Sequence, residues 1–328
     1  MSVYIQGVMV TGATTPIGER LIRRLLEDEG IESVLAVGLE PEDEAPLPQG
    51  YGDRLTYVSV DLGRSRRVRN LLFGVAKELG VEVVIHTSMH RDAKDSGGRV
   101  HAQNVDALRS LLDLGERHPT IRRLVFKSHA EVYQVKHDLP ILVTEDHPLN
   151  MTSGSPQWIR DRVEADLTAC ARMGLSSLEI AVLRCAEVLA PGCGSQIWDW
   201  LDASVALRPV GFDPMTNVLS VDDAVLALEL AAKAFGVQGV FNIPGKDTLP
   251  LSSISRQWGV PGMPVPGVLA SAFYRTRRRL RGHDFSYGMN LRRFHFCSVL
   301  DGTRARQVLG FEPQTPVDWP ITTGDPAG

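Results

Sequence analysis

Val8-Met9-Val10-Thr11-Gly12-Ala13-Thr14-Thr15-Pro16-Ile17-Gly18, followed by Glu19 to Leu26, reads as a buried strand, a tight turn and a helix. Val8 and Val10 suit a strand covered on both faces. Gly12 lets the chain turn sharply, and Ile17, Leu21, Ile22, Leu25 and Leu26 share one helical face. Such a unit aims free backbone N–H groups and the positive end of a helix dipole at the space above the turn, which suits a dinucleotide pyrophosphate. In the three-glycine fingerprint of such sites Gly12 and Gly18 take the first and third places, and Thr15 stands in the middle one. Thr15 can cap the helix and Pro16 can sit in its first turn, but a threonine side chain narrows the path of the phosphates. A βα turn without a ligand is the competing reading.

A chain of 328 residues can bury a large core, as one α/β domain or a domain with a smaller lobe. A net charge of −4 argues against general nucleic-acid binding. The charge is uneven: Arg275, Arg277, Arg278, Arg279 and Arg281 fall within seven residues free of acids, and the remainder of the chain stands at −9. Cys170, Cys185, Cys193 and Cys297 have no C-x-x-C spacing, which fits a reducing cytoplasmic setting. Ser2 to Val10 already reads as the first strand, so neither a secretory leader nor a membrane anchor is expected there.

Further along, Ser33 to Val37 makes a second strand, followed by Gly38-Leu39-Glu40. An acid at this point commonly holds adenosine ribose hydroxyls. Gly38 takes the usual place and Glu40 comes two residues later, either as a substitute or as a solvated loop acid. NAD against NADP stays open. Leu55 to Val60 is a third strand ending in Asp61-Leu62, a helix runs from about Arg66 to Leu79, and Val81 to His86 is a fourth strand leading to Thr87-Ser88-Met89-His90. His86 and His90 are expected to diverge at a strand end, so no metal site is assigned. A helix around Asn104 to Leu114 and a strand Arg123 to Lys127 complete four βα repeats, the signature of a doubly wound parallel sheet.

The order of Thr11-Gly12 to Gly18, Asp61-Leu62, Val84-Ile85-His86, Asn104-Val105, Ser128 to Tyr133, Leu183-Arg184, Val221 to Ala224, Phe241-Asn242-Ile243 and Leu309 to Pro313 resembles the extended short-chain dehydrogenase/reductase family. That family includes nucleotide-sugar epimerases and dehydratases. The resemblance implies a Rossmann domain binding NAD or NADP over residues 1–180, with 216–245 returning to it, and a substrate lobe from 181–215 and 246–328. It implies cofactor contacts at Gly12, Thr14, Thr15, Ile17, Gly18, Glu40, Asp61, Leu62, Thr87, Ser88, Met89 and Asn104. It also implies a homodimer through the helices containing Leu108 to Leu114 and Trp158 to Ala171.

The family transfers hydride with a Tyr acid/base, a Lys four residues later and a Ser that holds the substrate oxygen. On this chain the three positions fall on Trp158, Arg162 and His129, with Ser128 beside the last. An indole N–H donates but cannot shuttle a proton, and a guanidinium stays charged at any working pH. A shift of one residue would place Gln157 and Asp161 there instead, without restoring the pair. His129 titrates in a useful range and is read either as a substitute acid/base or as a packing histidine. Ser128 is a candidate substrate contact, and Lys127 reads as a surface charge at a strand end.

In the C-terminal lobe Asp222 and Asp223 read as helix caps. The arginine cluster is expected to end a helix, where cations are favourable, to clamp a phosphate-bearing small-molecule substrate, or to meet an anionic membrane surface. Two functions follow: an oxidoreductase or epimerase/dehydratase with altered catalytic groups, or a catalytically silent dinucleotide-binding or scaffold protein, in one version a peripheral membrane partner.

Overall fold

Val8, Met9 and Val10 are wholly buried because their strand, β1 (Ile5–Thr11), lies inside a seven-stranded sheet and is covered on both faces. The computed structural model describes residues 4–281 and 285–320; the start of the expected first strand and the end of the expected lobe lie outside them. The other main strands are β2 (Ile31–Gly38), β3 (Leu55–Ser59), β4 (Val81–His86), β5 (Arg123–His129), β6 (Glu179–Cys185) and β7 (Gly239–Ile243). Every pairing is parallel and the spatial order is β7-β6-β5-β4-β1-β2-β3. The chain steps outward from β1 to β3, then crosses back to β4 on the other side. That reversal opens a crevice above the carboxyl ends of β1 and β4.

Helices Pro16–Glu27 and Val221–Lys233 cover one face, burying Leu21, Leu25, Ala224 and Leu228. Ser65–Leu71, Ala107–Gly115 and part of Gln157–Cys170 cover the other, burying Val68, Leu108, Leu111 and Ala169. Two helices expected to be continuous contain π-helical turns, at Leu72–Ala76 and Ala102–Asp106. In the first, Gly74 takes φ −102° and ψ −112°, a conformation its missing Cβ tolerates.

The smaller lobe is built from the strands Glu187–Val188, Met215–Leu219 and Asp247–Pro250, the paired strands Ala206–Pro209 and Gly262–Val265, and the helices near them. Its core is aromatic, with Trp200, Tyr274, Phe285, Tyr287 and Phe294 in mutual ring contact. The boundary expected at residue 180 falls inside β6, and of segment 216–245 the helix and β7 belong with the main sheet while Met215–Leu219 joins the small one. The cap of Val221–Lys233 is Ser220, whose hydroxyl accepts from the Asp223 amide; Asp223 instead accepts from Gln314 and Thr315, and Asp222 pairs with Arg20. All four cysteines are free, and among the described residues no helix is long and apolar enough to cross a membrane.

Gly18 fixes how closely the first helix approaches β1, since a Cβ there would lie 2.1 Å from the Gly12 carbonyl oxygen. Gly18→Ala is expected to lower unfolding free energy by about 1–3 kcal/mol, read as a lower urea midpoint at unchanged slope.

Candidate functional site

The turn after β1 spends its polar groups on itself. Gly12 has φ +72°, and a Cβ there would meet the Thr87 hydroxyl at 2.8 Å. Thr15 caps the helix: its Oγ1 accepts from the Gly18 amide at 3.0 Å and donates to the Gly12 carbonyl at 2.8 Å. Thr14 Oγ1 donates to Glu40 at 2.7 Å, and the Leu39 amide reaches the same carboxylate oxygen. Burial alone would raise the Glu40 pKa; these hydrogen bonds outweigh it and hold the carboxyl below its ordinary value.

Above this turn runs a groove of about 580 Å³. Gly12, Thr14 and Thr15 form its floor with Gly38 and Glu40, Asp61 and Leu62 close it beyond β3, and Ser88 and Met89 close it beyond β4. Four expected contacts, Ile17, Gly18, Thr87 and Asn104, do not line it. Thr87 donates to the Thr11 carbonyl and lines a smaller void beside Met89 and His129. Ile17 lines the same void beside Met89 and Arg162, Gly18 packs against the Gly12 carbonyl, and the buried Asn104 donates to Asp161 while accepting from the His90 amide at 2.7 Å. Arg91 and Arg99 do line the groove, and the Arg91 charge helps to lower the Glu40 pKa. Neither was legible as a groove residue, because the loop after β4 carries no fixed spacing. His86 and His90 diverge: the first is buried against Thr11 Oγ1, and the second bonds Gln103 and Asp95 through its two ring nitrogens.

Across the crevice, above β4 and β5, the space is filled. Helix Gln157–Cys170 turns Trp158 and Arg162 inward, the Arg162 guanidinium lying 3.3 Å from the centre of the indole. Asp161, the residue of the alternative register, faces away and binds His101 and Asn104. Glu131, which the sequence reading missed, places Oε2 3.6 Å from His129 Nδ1 and 3.8 Å from Arg162 Nε. Burial pushes His129 well below its usual pKa, with the Lys127 and Arg162 charges adding to it, and burial brings Arg162 down to about 10. Lys127 is itself buried at this spot, so it is no surface charge. The segment Pro191 to Ser195 completes the closure: at Gly194 a Cβ would touch Trp158, and at Gly192 it would touch Arg91 and Pro16. What remains among Thr15, Met89, His129, Arg162 and Cys193 is a void of about 20 Å³, room for about one water. Between the lobes, beside the Glu187–Arg293 ion pair, a second void measures about 30 Å³.

Ser128 does not reach this end. Its hydroxyl donates to Asp166, which pairs with Arg184; Arg184 donates to the Tyr133 oxygen at 3.0 Å, and Tyr133 donates to Asn242 at 2.6 Å. Side chains alternate along a strand, so Ser128 and His129 serve opposite faces of β5. Ser128 is part of a buried framework that ties β5, β6 and β7 together.

Residues 8–192 match the NAD dependent epimerase/dehydratase family. The chain belongs to that family. Uncharacterized protein Rv0501 of Mycobacterium tuberculosis is 30% identical over 322 residues, 95% of this chain and 81% of that protein. The fold resembles dTDP-glucose 4,6-dehydratase (rfbB) of Bacillus anthracis in complex with NAD, with TM-score 0.68 and 18% identity over 94% of this chain and 92% of that one. It resembles MoeE5 in complex with UDP-glucose and NAD at TM-score 0.67 and 22% identity, covering 94% of each. Family membership and the Rossmann order agree with the resemblance read from the sequence.

Two wholly buried or nearly buried histidines make stability sensitive to acid. Burial lowers His86 to about 4, and burial with the Lys127 and Arg162 charges holds His129 well below the ordinary value. Both are neutral in the folded state at pH 6.5, while the unfolded chain takes up their protons as pH falls through that point. Unfolding free energy is therefore expected to fall from pH 6.5 toward 4 by up to about 1.4 kcal/mol per pH unit for each histidine. Urea denaturation across that range measures it, and His129→Asn should flatten the slope.

Proposed function

We propose that this chain binds the adenosine diphosphate half of an NAD-type nucleotide and does not carry out hydride transfer through the family's Ser, Tyr and Lys positions. One contrast carries the reading: about 580 Å³ stands open over β1 to β3, and about 20 Å³ over β4 and β5. A dinucleotide fold serves its ligand in two mononucleotide halves, one on each side of the reversal in strand order. The first half suits adenosine and pyrophosphate. Gly12 admits a close backbone approach, Thr14, Ser88 and Arg91 offer donors, and Arg99 adds charge. The second half does not fit a nicotinamide ring while Trp158, Arg162 and Cys193 hold their places.

Glu40 suits ribose hydroxyls and repels a 2′-phosphate, which favours an NAD-type over an NADP-type ligand. The NAD in the complexes of the two similar structures supports the same ligand class. An enzyme that uses His129 in place of tyrosine is disfavoured, because an imidazole held neutral by burial is a poor base and has one water's room for a reactant.

Calorimetric titration of nucleotide-stripped protein with NAD+, ADP-ribose, NADP+ and nicotinamide mononucleotide tests the reading. ADP-ribose is expected to match NAD+, NADP+ to bind more weakly and the mononucleotide not to bind. A preference for NAD+ over ADP-ribose beyond about tenfold, roughly 1.4 kcal/mol, would mean that the nicotinamide finds a place, and the closed half would be wrong. Absence of all binding would remove the groove as well.

A further inference from the structure

The helix Gly267–Arg281 carries no acid, and its apolar residues do not all face the lobe. Ala270 and Tyr274 pack inward, and Arg277 turns in with them to donate to the Asp202 carbonyl. Val268 is 81% exposed, Leu269 60%, Phe273 43% and Leu280 79%. At helical spacing Leu269, Phe273, Thr276 and Leu280 form one outward stripe, with Val268, Arg275 and Arg279 along its flank. Arg275 and Arg279 are exposed, so the arginine cluster divides into one cation that ties the helix to the lobe and others that face outward.

In water an exposed stripe of this kind is a liability, and its rim of cations selects what would cover it. Apolar residues beside arginines on one helix fit a bilayer surface, where the stripe enters the acyl boundary and the guanidinium groups meet lipid phosphates. The remainder of the chain stands at −9, so attraction to an anionic surface is concentrated on this helix. We propose that Gly267–Arg281 docks the protein on anionic membrane lipid, through Leu269, Phe273 and Leu280 with Arg275 and Arg279. The proposal rests on this helix alone and stands apart from the nucleotide groove.

Flotation of the full chain with vesicles of phosphatidylcholine, or of phosphatidylcholine with phosphatidylglycerol, tests it. Binding is expected only to the anionic vesicles and is expected to weaken as salt rises. The double variant Arg275→Gln/Arg279→Gln should weaken partitioning about thirtyfold, from about 1 kcal/mol per arginine. Leu269→Ser/Leu280→Ser should release the protein at salt concentrations where the natural chain stays bound. Both variants change exposed side chains, and an unchanged urea midpoint verifies the fold. Equal binding to both vesicle types, no binding, or binding indifferent to Leu269→Ser/Leu280→Ser would overturn the proposal. So would a dimer, seen by light scattering, that the leucine variant dissolves without any vesicle binding, since the stripe would then belong to a second copy.

Discussion

A buried guanidinium needs a counter-charge, and the closed end of this molecule depends on Glu131 supplying one to Arg162. Both side chains are almost fully buried, and neither is stable there alone. The attraction between them keeps Arg162 charged despite a pKa brought down by burial, while burial raises that of Glu131. Held in this way, the guanidinium carbon sits over the Trp158 ring, and the Trp158 ring reaches the turn at Gly194. A second pair, the buried Glu187 with the half-buried Arg293, joins the lobe to the same region: Glu187 also accepts from Ser195 and the Ile197 amide, which anchors the segment that closes over Trp158.

This arrangement explains why His129 is a poor proton shuttle. Burial disfavours its charged form most, and the neighbouring Lys127 and Arg162 cations oppose a third charge beside them. In the family's chemistry a cation lowers the pKa of a tyrosine by stabilising its anion. Here the cation remains, but the group beside it is an indole with no proton to exchange at neutral pH. The same position of positive charge thus changes from an aid to proton transfer into part of a packed core.

The sheet was legible in the sequence because its signals are local and repeated. Val8 and Val10, the apolar run Val81 to Ile85 and the spacing of Leu21, Ile22 and Leu25 each declare a strand or a helix face, and their order leaves few topologies. The groove was legible where backbone geometry demands a residue, as at Gly12 and Gly18, and where an acid follows β2 at Glu40. Asn104 was placed in the right neighbourhood, but its side chain bonds Asp161 and the His90 amide, since sequence spacing does not tell whether a polar group meets a ligand or a neighbour. Glu131, Arg91 and the burial of Lys127 were not legible at all. Their roles come from contacts with elements 31 to 101 residues away, Arg162 and Gly192 among them, and such contacts leave no periodic trace.

The two halves of the crevice also differ in what they are made of. Over β1 and β2 the walls are turns and backbone, fixed by glycine conformations, by Thr15 bonding within its own loop and by Thr14 bonding Glu40 in the next one. Over β4 and β5 the walls are side chains, and volume there follows composition directly. An indole in place of a phenol and a guanidinium in place of an ammonium both add bulk, and the interior is packed too closely for added atoms to leave a cavity open. One half of a dinucleotide fold can therefore be closed by a few substitutions while the other keeps its form. The family's strand order and the side chains at Trp158, Arg162 and His129 are compatible for that reason: the sheet and its first turn are held by backbone and core, and neither depends on the residues at those positions.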